Sequence, residues 1–141
     1  MIYIDTSSLL KLLFNEPESD AVRQAVAEES DVRISSLTQL EARVQLKAGW
    51  LGGDYTKPKH KAYAKQLEAF ADMDPFHFVS LAGSLFETAL QQDSALAKTH
   101  LRTLDRLHLA AMKELGITRL MTNDARQAKA ARAAGYEVFV S

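Results

Sequence analysis

The segment Met1-Ile2-Tyr3-Ile4-Asp5-Thr6-Ser7-Ser8 joins a short apolar run to one acid and three hydroxyl residues. The apolar run predicts a buried strand that ends at Asp5, and the leucine-rich residues 6–14 predict a helix after it. Ligands of open parallel sheets bind beyond the carboxyl ends of the strands. Asp5 is therefore either a ligand-binding acid or the N-cap of the helix that follows.

Strands and helices alternate along the rest of the chain. Further strands are predicted at residues 32–35, 76–81, 117–121 and 136–140. One helix opens at Pro17, and others are predicted at residues 36–50, 59–73, 83–96, 101–115 and 125–134. Ser36 is the expected cap of the third helix, and Gly49 to Gly53 are expected to interrupt it. This order predicts an α/β fold with a mainly parallel sheet flanked by helices, in a single domain of residues 1–141.

The composition is that of a soluble globular protein, with 47% hydrophobic residues, 25% charged residues and a net charge of -1. Proteins that mainly grip phosphate backbones are usually basic, so the overall charge argues mildly against that role. The chain has no cysteine. No apolar run approaches the ~20 residues of a membrane span, and the first residues lack the pattern of a signal peptide. A cytoplasmic location without membrane contact is expected.

Asp105 stands out among the 18 acidic residues because its predicted helix face is apolar. At 3.6 residues per turn, His108 and Leu109 share that face. A carboxylate in an apolar stripe is unfavourable unless it is paired or bound to a metal. The alternative to a metal is a buried ion pair with Arg102, three residues earlier.

Asp124 and Glu41 have weaker signals of the same kind. Asp124 follows a predicted strand, and a cap by Thr122 or Asn123 would leave it free for a ligand. The alternative for Asp124 is a first-turn acid favoured by the helix dipole. Glu41 is either a fourth site residue or the exposed edge of an amphipathic helix near Arg43. The apolar stripe of that helix is predicted at Leu37, Leu40 and Val44.

Four carboxylates in one pocket would repel one another unless a cation compensated their charge. Carboxylate oxygens select Mg²⁺ or Mn²⁺, whereas the missing cysteines and the histidine spacing remove the usual zinc signatures. Mg²⁺ held by carboxylates keeps water ligands and binds substrate phosphates. If the four acids meet, they therefore favour hydrolysis of phosphate esters.

Four motifs together resemble those of the PIN-domain ribonucleases, and most closely the VapC toxins of bacterial toxin–antitoxin pairs. The opening segment looks like that family's first strand, which ends in D-T-S. The other motifs are Ser35-Ser36-Leu37-Thr38-Gln39-Leu40-Glu41, Leu101-Arg102-Thr103-Leu104-Asp105-Arg106-Leu107-His108-Leu109-Ala110 and Thr122-Asn123-Asp124. The resemblance covers essentially the whole chain and implies a PIN-like three-layer fold.

The resemblance also implies a site and a reaction. The principal metal contacts would be Asp5 and Asp105, completed by Glu41 and Asp124 and supported by the polar side chains of Ser7 and Thr122. The reaction would be Mg²⁺- or Mn²⁺-dependent hydrolysis of RNA, such as tRNA or rRNA, leaving a 5′-phosphate and a 3′-hydroxyl. A homodimer and a small antitoxin protein are the implied partners.

Arg106 departs from the family pattern, which very often has alanine after the third acid. A bulky cation at this position is expected either to alter RNA access or to point to solvent. It removes no carboxylate, so the four-acid site is still expected to be complete.

A basic stretch with Lys57, Lys59 and Lys61 follows the third helix and is a candidate for RNA binding. Arg43 and Lys47, on the helix before that stretch, are assigned the same role. Such an arm would attract the phosphate backbone that the acids repel, and a solvated helix face is the alternative. Trp50 is expected either at an exposed tip or in the core. The leucine-rich first helix is either a binding groove for the antitoxin or a core helix.

Two other functions are compatible with the same sequence. One is a PIN-like module that binds RNA or protein without cutting. The other is a housekeeping RNA-processing nuclease of the same fold. Retention of all four acids argues against the silent module.

Overall fold

A computed structural model describes residues 1–95 and 100–140, which form five strands and seven α-helices. The strands are β1 (Ile2–Ile4), β2 (Val32–Ser35), β3 (Phe76–Val79), β4 (Arg119–Met121) and β5 (Glu137–Phe139). The helices are α1 (Thr6–Leu13), α2 (Ser19–Ala27), α3 (Ser36–Leu51), α4 (Lys57–Ala69), α5 (Leu85–Ala95), α6 (Thr103–Leu115) and α7 (Ala125–Ala133). A short 3-10 helix, Phe70–Asp72, follows α4.

The strands form one parallel sheet in the order β3-β2-β1-β4-β5. β1 lies at the centre, where Ile4 pairs with Met121 of β4 and Tyr3 pairs with Arg33 of β2. Because all the strands run the same way, their carboxyl ends share one edge of the sheet. The predicted α/β class with a parallel sheet is confirmed.

The side chains of β1 alternate between two hydrophobic clusters, as the pleat of a strand requires. Ile2 and Ile4 pack in a cluster with residues of α1, α2, α3 and α4. Tyr3 packs in a second cluster with residues of α5, α6 and α7. Helices therefore cover both faces of the sheet, which gives the three-layer arrangement.

Helix α3 differs from its prediction in its cap and in its buried face. Ser35 is the cap, because its hydroxyl oxygen accepts a hydrogen bond from the Thr38 amide at 3.2 Å, and the expected cap at Ser36 is wrong. Leu40 and Val44 are 61% and 59% exposed, so two residues of the predicted apolar stripe do not face the core, whereas Leu37 packs against the second cluster. The buried residues of this helix are Thr38, Ala42 and Leu46. The helix turns small and hydroxyl side chains inward, where Thr38 donates to the Ile4 carbonyl at 3.2 Å.

The connection between α3 and α4 is also tighter than predicted. Helix α3 continues through Gly49, where a Cβ atom would lie 2.5 Å from the Tyr55 hydroxyl oxygen. Glycine is needed there because Tyr55 packs against the helix and donates to the Leu46 carbonyl at 2.5 Å. Helix α4 begins at Lys57 with Pro58 in its first turn, a position that suits proline, so the predicted loop at residues 54–58 is shorter.

The remaining differences concern the ends of elements. β3 ends at Val79, α6 begins at Thr103 and β4 begins at Arg119. Gly116 ends α6 in the left-handed conformation, with φ of 68°. The predicted end of the fifth helix, at residue 96, lies outside the described residues. Within the described ranges, no helix is both long enough and apolar enough to cross a membrane.

Candidate active site

The carboxyl ends of β1 and β4 meet where the strand order of the sheet reverses. From the central β1, the strands β2 and β3 step to one side, and β4 and β5 lie on the other. Asp5 directly follows β1, and its amide donates to the Met121 carbonyl at 3.1 Å. Asp124 lies three residues beyond the end of β4. Such a switch point is where open α/β sheets bind ligands.

Asp5 is buried, and both of its carboxylate oxygens accept hydrogen bonds. One oxygen accepts from the Ser7 hydroxyl at 2.7 Å and from the Ser8 amide at 3.2 Å, which makes Asp5 the cap of α1. The other accepts from the Thr122 hydroxyl at 2.5 Å. Asp5 thus caps a helix and also lines the cleft, and the predicted supporting residues Ser7 and Thr122 contact it directly.

The surroundings of Asp5 oppose its ionisation. Burial raises the pKa of the Asp5 carboxyl above its usual range, and the nearby His108 and the hydrogen bonds from Thr122 and Ser7 only partly counter that rise. A cation bound beside the carboxylate would favour the ionised form. A buried acid with a raised pKa in a cleft is a candidate functional residue.

Glu41 is held in the site by contacts from two other helices. The Thr6 hydroxyl donates to its Oε1 atom at 3.1 Å, and Nε2 of His108 makes a short hydrogen bond with the same oxygen. Partial burial opposes ionisation of Glu41, but the hydrogen bond and charge of His108 outweigh it and lower the pKa of Glu41. Arg43 pairs instead with Glu68 at 2.6 Å. The alternative of Glu41 as an exposed helix edge is therefore wrong.

A buried chain of hydrogen bonds supports Glu41 from behind. Nδ1 of His108 lies 2.7 Å from the Tyr3 hydroxyl, which lies 2.7 Å from the Ser35 hydroxyl. All three supporting residues are buried. The sequence indicated that His108 shares a face with Asp105, but it did not reveal the roles of Tyr3 and Ser35. The available signal was a tyrosine inside an otherwise aliphatic strand.

Arg102 joins the two remaining acids. Its Nε atom donates to Asp105 Oδ2 at 3.1 Å, and its Nη2 atom donates to Asp124 Oδ2 at 3.3 Å. The Arg102 side chain is 64% exposed and that of Asp105 is 14% exposed. The predicted pairing of Arg102 with Asp105 exists, but it lies at the rim of the cleft rather than in the core.

Asp124 is also a helix cap, a role that the sequence did not predict. Its Oδ1 atom accepts from the amides of Arg126 and Gln127 at 2.9 and 3.2 Å, so Asp124 is the cap of α7. The prediction that Thr122 or Asn123 caps this helix is wrong. Because the cap uses only one carboxylate oxygen, Oδ2 still faces Arg102 in the cleft.

All four acids line one small cleft of about 100 Å³. The other lining residues are Thr6, Ser7, Gln45, Arg102 and His108. As the side chains stand in residues 1–95 and 100–140, no three His, Asp or Glu residues are close enough together to hold a metal ion. The donor set consists of carboxylates, and the Arg102 guanidinium supplies positive charge between two of them. Hard oxygen donors around a cation fit Mg²⁺ or Mn²⁺.

The five residues predicted to bind RNA are exposed on α3 and α4. Lys57 lies over the Trp50 ring at 5.6 Å, and His60 stacks on the same ring with centroids 5.1 Å apart. Trp50 is therefore half-buried between polar neighbours, neither a bare tip nor a core residue. In the described part of the chain, none of the five basic residues lines the acidic cleft.

Arg106 does not point to solvent, so that expectation is wrong, and its side chain does not line the acidic cleft. It is 5% exposed and lines a separate groove with residues of α5. Among the residues that the structure describes, it forms an ion pair with Asp93, with Nε and Oδ1 3.7 Å apart. Among the described residues, its guanidinium nitrogens have no hydrogen-bond partner. Position 106 faces away from position 105 because adjacent residues of a helix project about 100° apart.

Known proteins are similar to this chain in sequence and in fold. The PIN domain matches residues 2–133. Ribonuclease VapC46 of Mycobacterium tuberculosis is 33% identical over 140 residues, which cover 98% of this chain and 95% of that protein. The crystal structure of M. tuberculosis VapC20, a sarcin-ricin loop cleaving toxin, has a TM-score of 0.71 at 17% identity and matches 96% of both chains.

A chain of a second solved structure has the same fold. The crystal structure of VapBC2 from Rickettsia felis, bound to a DNA fragment from its promoter, has a TM-score of 0.72 at 14% identity. The match covers 100% of this chain and 99% of that chain. The domain match, the identity to VapC46 and the shared fold all agree. This chain belongs to the PIN-domain family, with VapC proteins among its relatives.

Proposed function

We propose that this protein is a metal-dependent endoribonuclease and the toxin of a toxin–antitoxin pair. The observation that carries the proposal is the convergence of four acids, from four separate segments of the chain, on one cleft at the switch point of the sheet. The ribonuclease name of VapC46 supports RNA as the substrate class. Within the proposal, residues 1–141 act as one domain in the cytoplasm, and tRNA or rRNA is the substrate.

In this proposal Asp5 and Asp105 are the principal ligands of Mg²⁺ or Mn²⁺, and Glu41 and Asp124 complete the acidic pocket. When bound, the ion activates a water molecule and neutralises charge that develops on the phosphoryl oxygens. Asp5 is the best-placed ligand because the sheet itself fixes its backbone through the hydrogen bond to Met121.

Other residues of the site orient these acids. The hydroxyl groups of Ser7 and Thr122 fix the Asp5 carboxylate from two sides, at 2.7 and 2.5 Å. His108 and Thr6 converge on Oε1 of Glu41, and Glu41 lines the cleft. Such outer contacts set ligand orientation, and their removal typically lowers metal affinity or activity 10- to 100-fold.

The decisive experiment is a cleavage assay with protein free of any antitoxin. Total tRNA and rRNA would be incubated with the protein in Mg²⁺ or Mn²⁺, with EDTA and the variant Asp5→Asn as controls. Cleavage that requires the metal and Asp5 is the expected result. Cleavage that survives both controls would exclude the metal mechanism, whereas no cleavage of any RNA would favour the binding module.

The basic side chains of α3 and α4 are proposed to bind the RNA backbone. Replacing Lys57, Lys59 and Lys61 together with alanine should raise KM for RNA about three- to tenfold with little change in kcat. The same change should flatten the dependence of KM on salt concentration, because fewer counterions are released. Lys113→Ala with Lys129→Ala and Arg132→Ala, on α6 and α7, removes the same number of exposed charges and is the matched control. An equal effect of that control would show that overall charge, rather than this surface, matters.

A groove beside α1 is the proposed binding site of the antitoxin. Its volume is about 720 Å³, and its walls include Leu10, Phe14, Tyr55 and Tyr63. Gln45 lines both this groove and the acidic cleft, so a segment bound in the groove would reach the active site. The leucines of α1 are themselves buried, as the core-helix alternative stated. VapBC2, a complex of the same fold, supports an antitoxin partner.

A homodimer is proposed on the exposed apolar face of α3. Leu40 and Val44 lie one helical turn apart and are mainly exposed, which suits a surface that a second copy covers. Light scattering should give the mass of a dimer for the native protein and of a monomer for Leu40→Glu with Val44→Glu. A dimer mass for that double variant would exclude this face.

A further inference from the structure

Arg102 places a positive charge between two of the four acids in the cleft. It precedes α6, and its guanidinium joins an acid on α6 to an acid that caps α7, at 3.1 and 3.3 Å. Asp105 and Asp124 are 19 residues apart in sequence and carry like charges. Without a cation between them, the two carboxylates would repel each other.

The same contact explains why the four acids do not form a ready metal site. Two of them are turned toward Arg102, and Glu41 is bound to His108. No three potential ligands in the described residues converge closely enough to hold an ion. The acids therefore line one cleft, but the cation that organises two of them is a guanidinium.

We propose that Arg102 is an exchangeable counter-ion of the active site. It holds Asp105 and Asp124 together while the cleft contains no metal, and a divalent ion displaces it toward solvent. This inference rests on the proposed metal-dependent function. Arg102 is a positioning residue in this scheme, because it acts through the two carboxylates.

Three features make Arg102 suited to exchange. Its side chain is 64% exposed, so leaving the acids does not require the core to open. It lies at the extended position before α6 rather than within the helix, with φ of −63° and ψ of 152°. Exposed ion pairs are individually weak, so a divalent ion that binds several carboxylates can replace them.

A counter-ion that competes with the metal must weaken metal binding. Calorimetric titration of Mn²⁺ into the metal-free protein would compare the native chain with Arg102→Gln. The variant should bind Mn²⁺ about three- to tenfold more tightly, the range expected when two exposed ion pairs no longer have to be broken. Arg102→Lys keeps the charge but lacks the planar fork that spans two acids, so its affinity should lie between the two.

Arg132→Gln is the matched control, since it removes an exposed arginine of α7 outside the cleft. Its Mn²⁺ affinity should stay within about twofold of the native value, because exposed charges beyond a Debye length are screened. A second readout is thermal unfolding. Arg102→Gln should have a lower Tm than the native protein without Mn²⁺ and a larger rise in Tm when Mn²⁺ is added.

The outcomes separate the two proposals. In one outcome, Mn²⁺ binds the native chain in an Asp5-dependent manner while Arg102→Gln binds it with equal or lower affinity. That result would exclude the counter-ion role of Arg102 and would support the metal site. If Asp5→Asn binds Mn²⁺ as well as the native protein does, both the metal site and the inference fail.

Discussion

Arg102 and Arg106 lie about one helical turn apart at the start of α6, yet their surroundings are opposite. Arg102 is exposed and hydrogen-bonded to two carboxylates. Arg106 is buried in the groove toward α5, and within the described residues its guanidinium nitrogens have no hydrogen-bond partner. One side of this helix therefore concentrates paired charge in a cleft, and the other buries a charge whose contact with an acid is long, at 3.7 Å.

The contrast distinguishes charged side chains that contribute to a binding site from a charged side chain that destabilises the fold. A buried cation without good hydrogen bonds loses its water and regains little from an exposed acid such as Asp93. Paired charges at the cleft rim remain solvated and can exchange partners. Charge removal on the cleft side should therefore change activity, and charge removal on the α5 side should change stability.

The largest effect is expected from Asp5→Asn. The variant keeps a side-chain oxygen that can cap α1 but loses the negative charge at the switch point. RNA cleavage should fall about 100-fold or more, because a bound metal supplies several kcal/mol of transition-state stabilisation. Asp20→Asn, which alters an exposed ion pair with Arg23, is the control and should cleave at the native rate. Native activity of Asp5→Asn would show that charge in the acidic cleft is no more important for cleavage than charge in the groove toward α5.

The pH dependence of metal binding should report the same acid. The raised pKa of Asp5 means that its native-state stabilisation is complete below its unfolded pKa and is lost as pH rises through its folded pKa. Metal binding must expel that proton, so Mn²⁺ affinity should rise by up to about tenfold per pH unit below the folded pKa and level off above it. Calorimetric titrations across pH would measure this rise.

Thr122→Val provides the matched change for that pH profile. The valine keeps the shape of Thr122 but removes the hydroxyl that favours ionised Asp5. The rise in Mn²⁺ affinity should therefore occur at higher pH in this variant. If the pH dependence of Mn²⁺ affinity is the same as in the native protein, the titrating group is not Asp5.

Tyr3→Phe should reduce activity without touching the cleft itself. It removes the hydroxyl that contacts His108 and Ser35, so His108 is less firmly held against Glu41. About a tenfold loss of Mn²⁺ affinity or cleavage rate is expected. Tyr136→Phe, whose hydroxyl contacts the Leu109 carbonyl at 3.5 Å and the Gln92 side chain rather than a residue of the cleft, is the control. Equal losses in both variants would indicate general destabilisation instead.

The smallest effect is expected from Arg106→Met. Replacing a buried and poorly paired cation with an apolar side chain of similar length should raise the free energy of unfolding by about 1 kcal/mol. RNA cleavage should be unchanged, because Arg106 faces away from the cleft. Urea denaturation and the cleavage assay would measure the two quantities. A marked loss of activity would show that the α5 side also takes part in function.

The fold was largely predictable because its elements are strongly patterned. The apolar runs before Asp5 and Asp124 are strands, and the parallel sheet follows from the alternation with helices. The buried face of α3 was not predictable from hydrophobicity, because Thr38 and Ala42 face the core while Leu40 and Val44 are exposed. Tertiary contacts, such as the hydrogen bond from Thr38 to a strand carbonyl, decide that rotation.

The acids of the site could be predicted from the sequence, but the side chains that bind and orient them could not. Asp5 and Asp124 follow strands, and that position can be read from the sequence. The contact between Tyr3 and His108 joins residues 105 apart, and only the folded chain brings them together. Arg102 was assigned one acid, whereas the structure gives it two, because the second comes from the start of another helix.

The pairing of β1 with β4 also has a consequence for the order of events during synthesis. Residues 3 and 4 pair with residues 120 and 121, so the central strand lacks one of its two partners until residue 121 has left the ribosome. Asp124 follows Asp5 by 119 residues. A nascent chain on the ribosome therefore cannot assemble the complete acidic cleft until more than a hundred residues beyond Asp5 have emerged.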